Sequence, residues 1–166
     1  FVKRFNNNIN KSEEIHNIQT EEIGLSDVEN EYEIIEKRTS NTKTYKKVNN
    51  SYELVMFGKD VHYLDNGIYK EIDNTLLLDG MYVKNKSNKF YVEFPDNINE
   101  GYKNKLKYNN NILYWKINNT NNSNSNSFLN KNKIKYNNIF KNVNLEYIVN
   151  NNSVKENIEL TNYISD

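Results

Sequence analysis

Apolar residues fall on every second position in a series of short runs, and turns rich in Asn and Gly separate those runs. Phe90, Val92 and Phe94 point one way while Tyr91 and Glu93 point the other. Val143, Leu145, Tyr147 and Val149 repeat the pattern, as do Val154, Glu156, Ile158 and Leu160. A period of two is the strand period; a helix would scatter these residues around its axis. Turn signals recur about every eight to twelve residues, which is the spacing of a sandwich or partly closed barrel. No βαβ alternation is present, which argues against a parallel sheet. The expected fold is mainly β, an antiparallel β-sandwich-like domain with a short helical or irregular N-terminal arm.

Individual hairpins can be placed. Lys43 to Lys47 and Tyr52 to Phe57 flank a turn at Asn49-Asn50. Val61 to Tyr63 and Ile68 to Ile72 flank Asp65-Asn66-Gly67. An Asn-Gly pair suits a type I′ turn, because both central residues need positive φ and Gly67 adopts it without steric cost. Met81 to Lys84 pairs with Phe90 to Phe94, and Pro95 ends that strand because it cannot donate to a ladder. Leu106 to Tyr108 and Ile112 to Ile117 form a hairpin over Asn109-Asn110-Asn111. Leu113, Trp115 and Ile117 share one face there, making Trp115 a core anchor. Asn150-Asn151-Asn152 turns the chain into its last strand.

Two regions depart from this rhythm. Phe1 to about Gly24 is polar and irregular, the pattern of a mobile arm. Ser26-Asp27-Val28-Glu29 has capping-box spacing, and Val28, Tyr32 and Ile35 would share one helical face. A short helix over about Asp27–Lys37 is expected, with a strand start at Ile34-Ile35 as the alternative. Asn118 to Asn126 is an Asn/Ser stretch with nothing to bury. These readings divide the chain into an arm over residues 1–40 and a β-rich domain over 41–166, with a flexible loop at about 118–131.

Composition narrows the function. Lys plus Arg and Asp plus Glu both number 22, so the formal charge is zero. A balanced chain has no electrostatic reason to seek nucleic acid, and no apolar run approaches membrane-spanning length. There is no Cys, which excludes disulfides, a thiol nucleophile and thiolate metal sites. Tyr and Phe number 13 and 7, so the core must lean on aromatics, which suit a pleated sheet. Asn, Lys, Ile and Tyr are over-used and Ala is absent, the mark of an AT-rich genome. Asn clusters then read as mutational drift. Gly24, Gly58, Gly67, Gly80, Gly101, Pro95 and Trp115 have GC-rich codons and resisted that drift, which marks them as structural; Arg38 joins them more weakly. The chain begins at Phe1 rather than Met, which reads as an excised or processed piece with any signal peptide lost.

Three segments resemble a known family. The first is Glu36-Lys37-Arg38-Thr39 followed by Thr42-Lys43-Thr44-Tyr45. The second runs from Val61-His62-Tyr63 through Asn66-Gly67 and Ile72-Asp73-Asn74 to Leu76, with Phe90 to Pro95 downstream. The third is Ile134-Lys135-Tyr136, Val143 to Tyr147 and Val154 to Leu160. In this order, across roughly Glu36 to Leu160, they resemble the N-terminal region of Gram-positive wall-associated, DNRLRE-type and YD-repeat (Rhs-like) proteins. The resemblance implies an extracellular or cell-surface β-rich module, upstream of shell domains, that carries no catalysis. Neither a DNRLRE segment nor repeated Tyr-Asp units occur here, and the arm before Glu36 is not covered. Asp73 is kept as a structural candidate.

Candidate chemistry is sparse. His16 and His62 are the only imidazoles. His62 lies near Asp60 and Asp65, so an acid/base pair or metal site can be drawn, but no ligand spacing of the His-Glu-x-x-His kind supports it. The alternative is a strand residue whose ring packs near a hairpin. Carboxylate pairs such as Glu13-Glu14, Glu21-Glu22 and Asp60-Asp65 arise by chance among 22 acids. Glu156 falls on the apolar face of its strand, where an unpaired carboxylate is costly. Arg38 or backbone amides are expected to satisfy it, unless a bulge turns it outward. Tyr69, Tyr91 and Tyr114 alternate with inward residues and suit either sugar stacking or cover for sheet edges. No catalytic, cofactor or metal residue is expected, and no cofactor. The expected role is a structural or assembly module of a large secreted or cell-surface bacterial protein of YD-repeat or polymorphic-toxin type. Its partners would be other domains of the same polypeptide; a glycan- or cell-wall-binding module is the alternative. No membrane insertion is expected.

Overall fold

The computed structural model describes residues 2–7, 32–98, 102–118, 120 and 127–162. His16, Gly24, Gly101, the Ser26–Glu29 capping box, the Glu13-Glu14 and Glu21-Glu22 pairs and the Asn121–Asn126 stretch lie outside them. The protein is mainly β, with antiparallel sheets throughout. It divides into two compact units, Phe1–Glu71 and Ile72–Asp166. The expected boundary near residue 40 is therefore misplaced, because the strands on either side of that position share one sheet.

In the first unit the strands are β1 (Val2–Asn7), β2 (Tyr32–Glu33), β3 (Thr42–Lys46), β4 (Tyr52–Phe57), β5 (His62–Asp65) and β6 (Ile68–Glu71). The sheet order is β1-β4-β3-β2, and β5 pairs with β6 alone. Two expectations fail here. Val2–Asn7 is a strand along the whole of β4, not part of an irregular arm. Residues 32–37 are not helical: Tyr32–Glu33 pairs with β3, and only a single 3-10 turn follows at Ile35–Lys37. The edge of β3 offers Glu33 and Ile34 a ladder, and Ile34 N–H takes the Thr44 carbonyl at 2.7 Å. Ladder bonds outweigh the helical spacing of three residues. The β5–β6 turn has Asn66 at φ 50° and Gly67 at φ 84°, the positive pair that a type I′ turn demands.

In the second unit β7 (Asp73–Asp79), β8 (Tyr82–Ser87), β9 (Phe90–Pro95), β10 (Asn104–Tyr108) and β11 (Asn111–Trp115) form one sheet in order β11-β10-β9-β8-β7. The strands β12 (Ser127–Asn130), β13 (Lys133–Phe140), β14 (Val143–Val149) and β15 (Val154–Leu160) form the other, in chain order. Their inner faces share one core built from Leu76, Val83, Phe90, Val92 and Phe94 of the first sheet and Ile134, Tyr136, Ile139, Leu145, Tyr147 and Val149 of the second. This is sandwich packing, in which alternate residues of each strand interdigitate between the sheets. Of the stretch expected as a loop over 118–131, Ser127–Asn130 is a strand paired with β13.

Asn does more than composition suggested. Asn50, Asn66, Asn109, Asn138 and Asn142 all hold positive φ, a region that Asn tolerates better than most residues. Asn85 is buried and bridges β8 to β9: its Nδ2 donates to the Phe90 carbonyl at 3.1 Å, and its Oδ1 accepts from Val92 N–H at 2.9 Å. Drift alone does not account for Asn at these positions.

Candidate functional site

The first unit gathers a cluster of ionisable side chains on one side of its sheet. Glu33 is paired with Tyr45, and Lys43 with Val55. Directly paired residues point the same way, so Glu33, Lys43, Tyr45, Glu53 and Val55 share a face. Arg38 follows the 3-10 turn, and His62 and Glu71 are opposed at the open end of the β5–β6 hairpin. The Arg38 guanidinium grips Glu33 side-on, Nε to Oε1 at 2.7 Å and Nη2 to Oε2 at 2.8 Å. Its Nη2 also reaches Glu71 Oε1 at 3.2 Å, and Nη1 donates to the Tyr69 carbonyl at 3.4 Å. The Lys43 ammonium bonds Glu71 and lies 3.8 Å from Glu33 Oε2.

His62 is sealed beneath this network, with its side chain fully buried. Its Nδ1 lies 2.7 Å from the Thr39 carbonyl. A carbonyl only accepts, so Nδ1 carries the proton and Nε2 holds a bare lone pair. That Nε2 has no hydrogen-bond partner and stands 3.9 Å from Glu33 Oε1. Burial pushes the imidazole pKa down, and the nearby Arg38 and Lys43 charges add to this against the Thr39 bond and Glu33. Burial alone would push the Glu33 carboxyl up, but the Arg38 fork and the Lys43 charge hold it below the usual range.

Glu33, His62 and Glu71 each offer a ligand atom within 4.8 Å of one another. Bare imidazole nitrogen and two carboxylates would suit a divalent transition metal. The arrangement nevertheless opposes one. Lys43 already lies between the two carboxylates, and both Glu33 oxygens are engaged by Arg38. An incoming divalent ion would meet two fixed cations at contact distance. The group is a closed clamp in which two carboxylates balance two cations over a neutral imidazole. It ties the 3-10 turn, β2, β3 and the hairpin together.

Sequence reasoning singled out Arg38 and His62 separately and did not join them. It sought the partners of His62 at Asp60 and Asp65; the side chains around it are Glu33 and Glu71, and Asp65 bonds Lys70 at 2.6 Å instead. It also missed Glu33 and Lys43. The signal that could have found Glu33 was its register opposite Tyr45, which a helix reading of that segment hid.

Glu156 requires a second correction. It does lie on the core face of β15, opposite Tyr147. It is exposed, however, because β15 is an edge strand. Its partner is neither Arg38 nor backbone amides but the Tyr147 hydroxyl. That hydroxyl also accepts from Trp115 Nε1 at 3.1 Å and Asn104 Nδ2 at 3.4 Å. Burial, reinforced by Glu156, raises the Tyr147 pKa. The ring stacks on Phe94 with centroids 4.9 Å apart, and Trp115 meets both rings edge-on. Trp115 is thus packed against the core as its strand face requires.

The remaining candidates are structural. Gly67 closes the β5–β6 turn. The Thr75 hydroxyl, then Lys86 at 2.9 Å and the Thr75 N–H at 3.0 Å, bring the Asp73 pKa down to about 2, with burial working against them. Asp73 stands where the β7–β8 register shifts. The Pro95 carbonyl accepts from the buried Tyr136 hydroxyl at 2.6 Å. Tyr91 and Tyr114 share the outer face of the larger sheet with Lys105, since Glu93 pairs with Lys105 and Lys105 with Tyr114. Tyr91 is half-buried and its hydroxyl donates to Glu93 at 2.7 Å; Tyr114 is exposed, and Tyr69 belongs to the first unit.

No family model, curated protein or solved structure matches the chain. The described residues thus make a mainly β protein of antiparallel sheets, with an ionic clamp in the first unit and a sandwich core in the second.

Proposed function

We propose that this chain is a non-catalytic structural or assembly module of a large secreted or cell-surface bacterial protein, of the YD-repeat or polymorphic-toxin type. One observation carries the reading. In the ionic clamp of the first unit two carboxylates meet two cations and the imidazole is buried, so the groups stabilise each other rather than address a substrate. Its partners are then other domains of the same polypeptide. Lysine cross-linking and mass spectrometry on the full-length parent protein tests this. Cross-links from Lys84, Lys105 or Lys155 to other domains are expected; a parent in which these lysines link only within residues 1–166 would overturn it.

A glycan- or wall-binding reading has one observation in its favour, the Tyr91, Tyr114 and Lys105 outer face. Aromatic rings on a sheet can stack on sugars, and Tyr114 is free to do so. Retention on purified peptidoglycan that is lost in Tyr114→Ala would favour it over the first reading.

A further inference from the structure

We propose that two copies of this chain pair through β15, antiparallel, about a two-fold axis at Asn157. The inference goes beyond the module's role and rests only on the free edge of that strand. β15 is the last strand of its sheet, so among the described residues one side of its backbone has no ladder partner. Which groups point outward follows from the bonds that bracket it. Thr161 N–H takes the Asn142 carbonyl, and Asn150 N–H takes the Ser153 carbonyl. Both pairs continue the β14–β15 register, in which Val143 opposes Leu160 and Val149 opposes Val154. Bonded and non-bonded pairs alternate along an antiparallel ladder. Residues 155, 157 and 159 therefore bond to β14, and the N–H and C=O groups of Val154, Glu156, Ile158 and Leu160 point to the free edge.

The same four residues carry the core face, since they oppose Val149, Tyr147, Leu145 and Val143. Two of them are left uncovered: Ile158 is 66% and Leu160 73% exposed. An edge with unpaired backbone and uncovered apolar side chains is a template for another strand. Charge then selects the strand and the register. Self-pairing that keeps core faces together must centre on a residue. Centring on Glu156 would oppose the two Glu156 carboxylates. Centring on Ile158 would set Lys155 against Thr161. Centring on Asn157 sets Lys155 against Glu159 of the second copy at both ends, Val154 against Leu160, and Glu156 against Ile158. The Lys155 and Glu159 positions fall at non-bonded pairs, where side chains come closest.

The other edges of this unit lack that complementarity. β7 centred on Leu76 would oppose Asp73 to Asp79, and β11 and β12 carry no charge. Glu156 is an inward charge of the kind that discourages edge pairing, but the Tyr147 hydroxyl already holds it. Pairing joins two four-stranded sheets into one continuous sheet.

The absence of Cys makes the test clean. Sedimentation velocity over a concentration series should show a dimer of the 19.8 kDa chain. Lys155→Glu should weaken it at least about tenfold, whereas Lys155→Arg, which keeps the charge opposite Glu159, should leave it unchanged. Asn157→Cys, facing its own copy across the axis, should form an interchain disulfide on mild oxidation much faster than Lys155→Cys, which faces Glu159. A chain that stays monomeric at every concentration would overturn the proposal. So would equal cross-linking of the two cysteines, or a dimer indifferent to Lys155→Glu.

Discussion

The two units bury different chemistry. Among the described residues of the first unit, the buried side chains are Thr42 and Thr44 on one face of β3, Glu53 and Val55 on the other, and His62 beside the half-buried Arg38–Glu33 fork. In the second they are mostly aliphatic and aromatic, centred on Phe94 stacked against Tyr147. The difference follows from what each sheet has to pack against. Two sheets meeting face to face can exclude water from every inward position, so apolar area stabilises them directly. The face that carries Glu33, Lys43 and Glu53 has polar residues at alternate positions. Burial there is favourable only where each charge finds an opposite one. The first unit thus depends on geometry and pH, and the second on volume.

The sharpest challenge to that contrast is a cavity. Phe94→Ala should cost about 3–5 kcal/mol in denaturant unfolding, as truncation of a buried aromatic does; a loss near zero would mean that the aromatic stack is not what holds the sandwich. Arg38→Ala strands Glu33 beside a buried imidazole. The two side chains keep 12% and 15% exposure, which solvent screening discounts, so the cost should be about 2–3 kcal/mol. Amide exchange in β3 and β6 reads it, and unaltered protection there would dissolve the clamp as a stabilising device. Tyr136→Phe leaves the Pro95 carbonyl without its donor and should cost about 1–2 kcal/mol.

A pH titration separates the ionic centre from the apolar one. The His62 pKa is depressed in the folded protein, so the unfolded chain binds a proton that the folded one resists. Stability is then fully present above the ordinary histidine value of about 6.5 and falls as pH drops below it. Glu33 is depressed too, and its contribution is lost further down, below the ordinary carboxyl value near 4.3. The His62→Phe variant should flatten the upper part of this profile. An unchanged slope between pH 7 and about 5 would show that the imidazole does not titrate as its burial requires. The smallest effect belongs to Glu156→Ala. The residue is exposed, so the change should stay within about 0.5 kcal/mol, well below what burial on the strand's core face would have implied.

Much of the second unit was legible before any coordinates. Phe90 to Pro95, Val143 to Val149 and Val154 to Leu160 are strands with the inward residues that alternation assigns. β7 and β12 were not legible, because Leu76-Leu77-Leu78 and Ser127 to Asn130 show no alternation. The ionic centre was half legible. Arg38 stood out as a rare Arg and His62 as a rare imidazole, but their common partner Glu33 lay in a segment whose spacing read as helical. Glu156 was placed on the right face and given the wrong environment, since alternation reports which way a side chain points and not whether anything covers it.

The residues alone determined the antiparallel, sheet-dominated class and the positions of most turns, because a period of two and the φ demands of Asn-Gly are local properties of the chain. Tertiary structure decided that β15 would be an edge, that Tyr147 would hold Glu156, and that Arg38, Glu33, Lys43, Glu71 and His62 would meet. Those outcomes depend on strand order and on contacts between residues up to thirty-odd positions apart in the chain. No local rule encodes them, since one strand can be flanked by neighbours or left bare without a change in its own sequence.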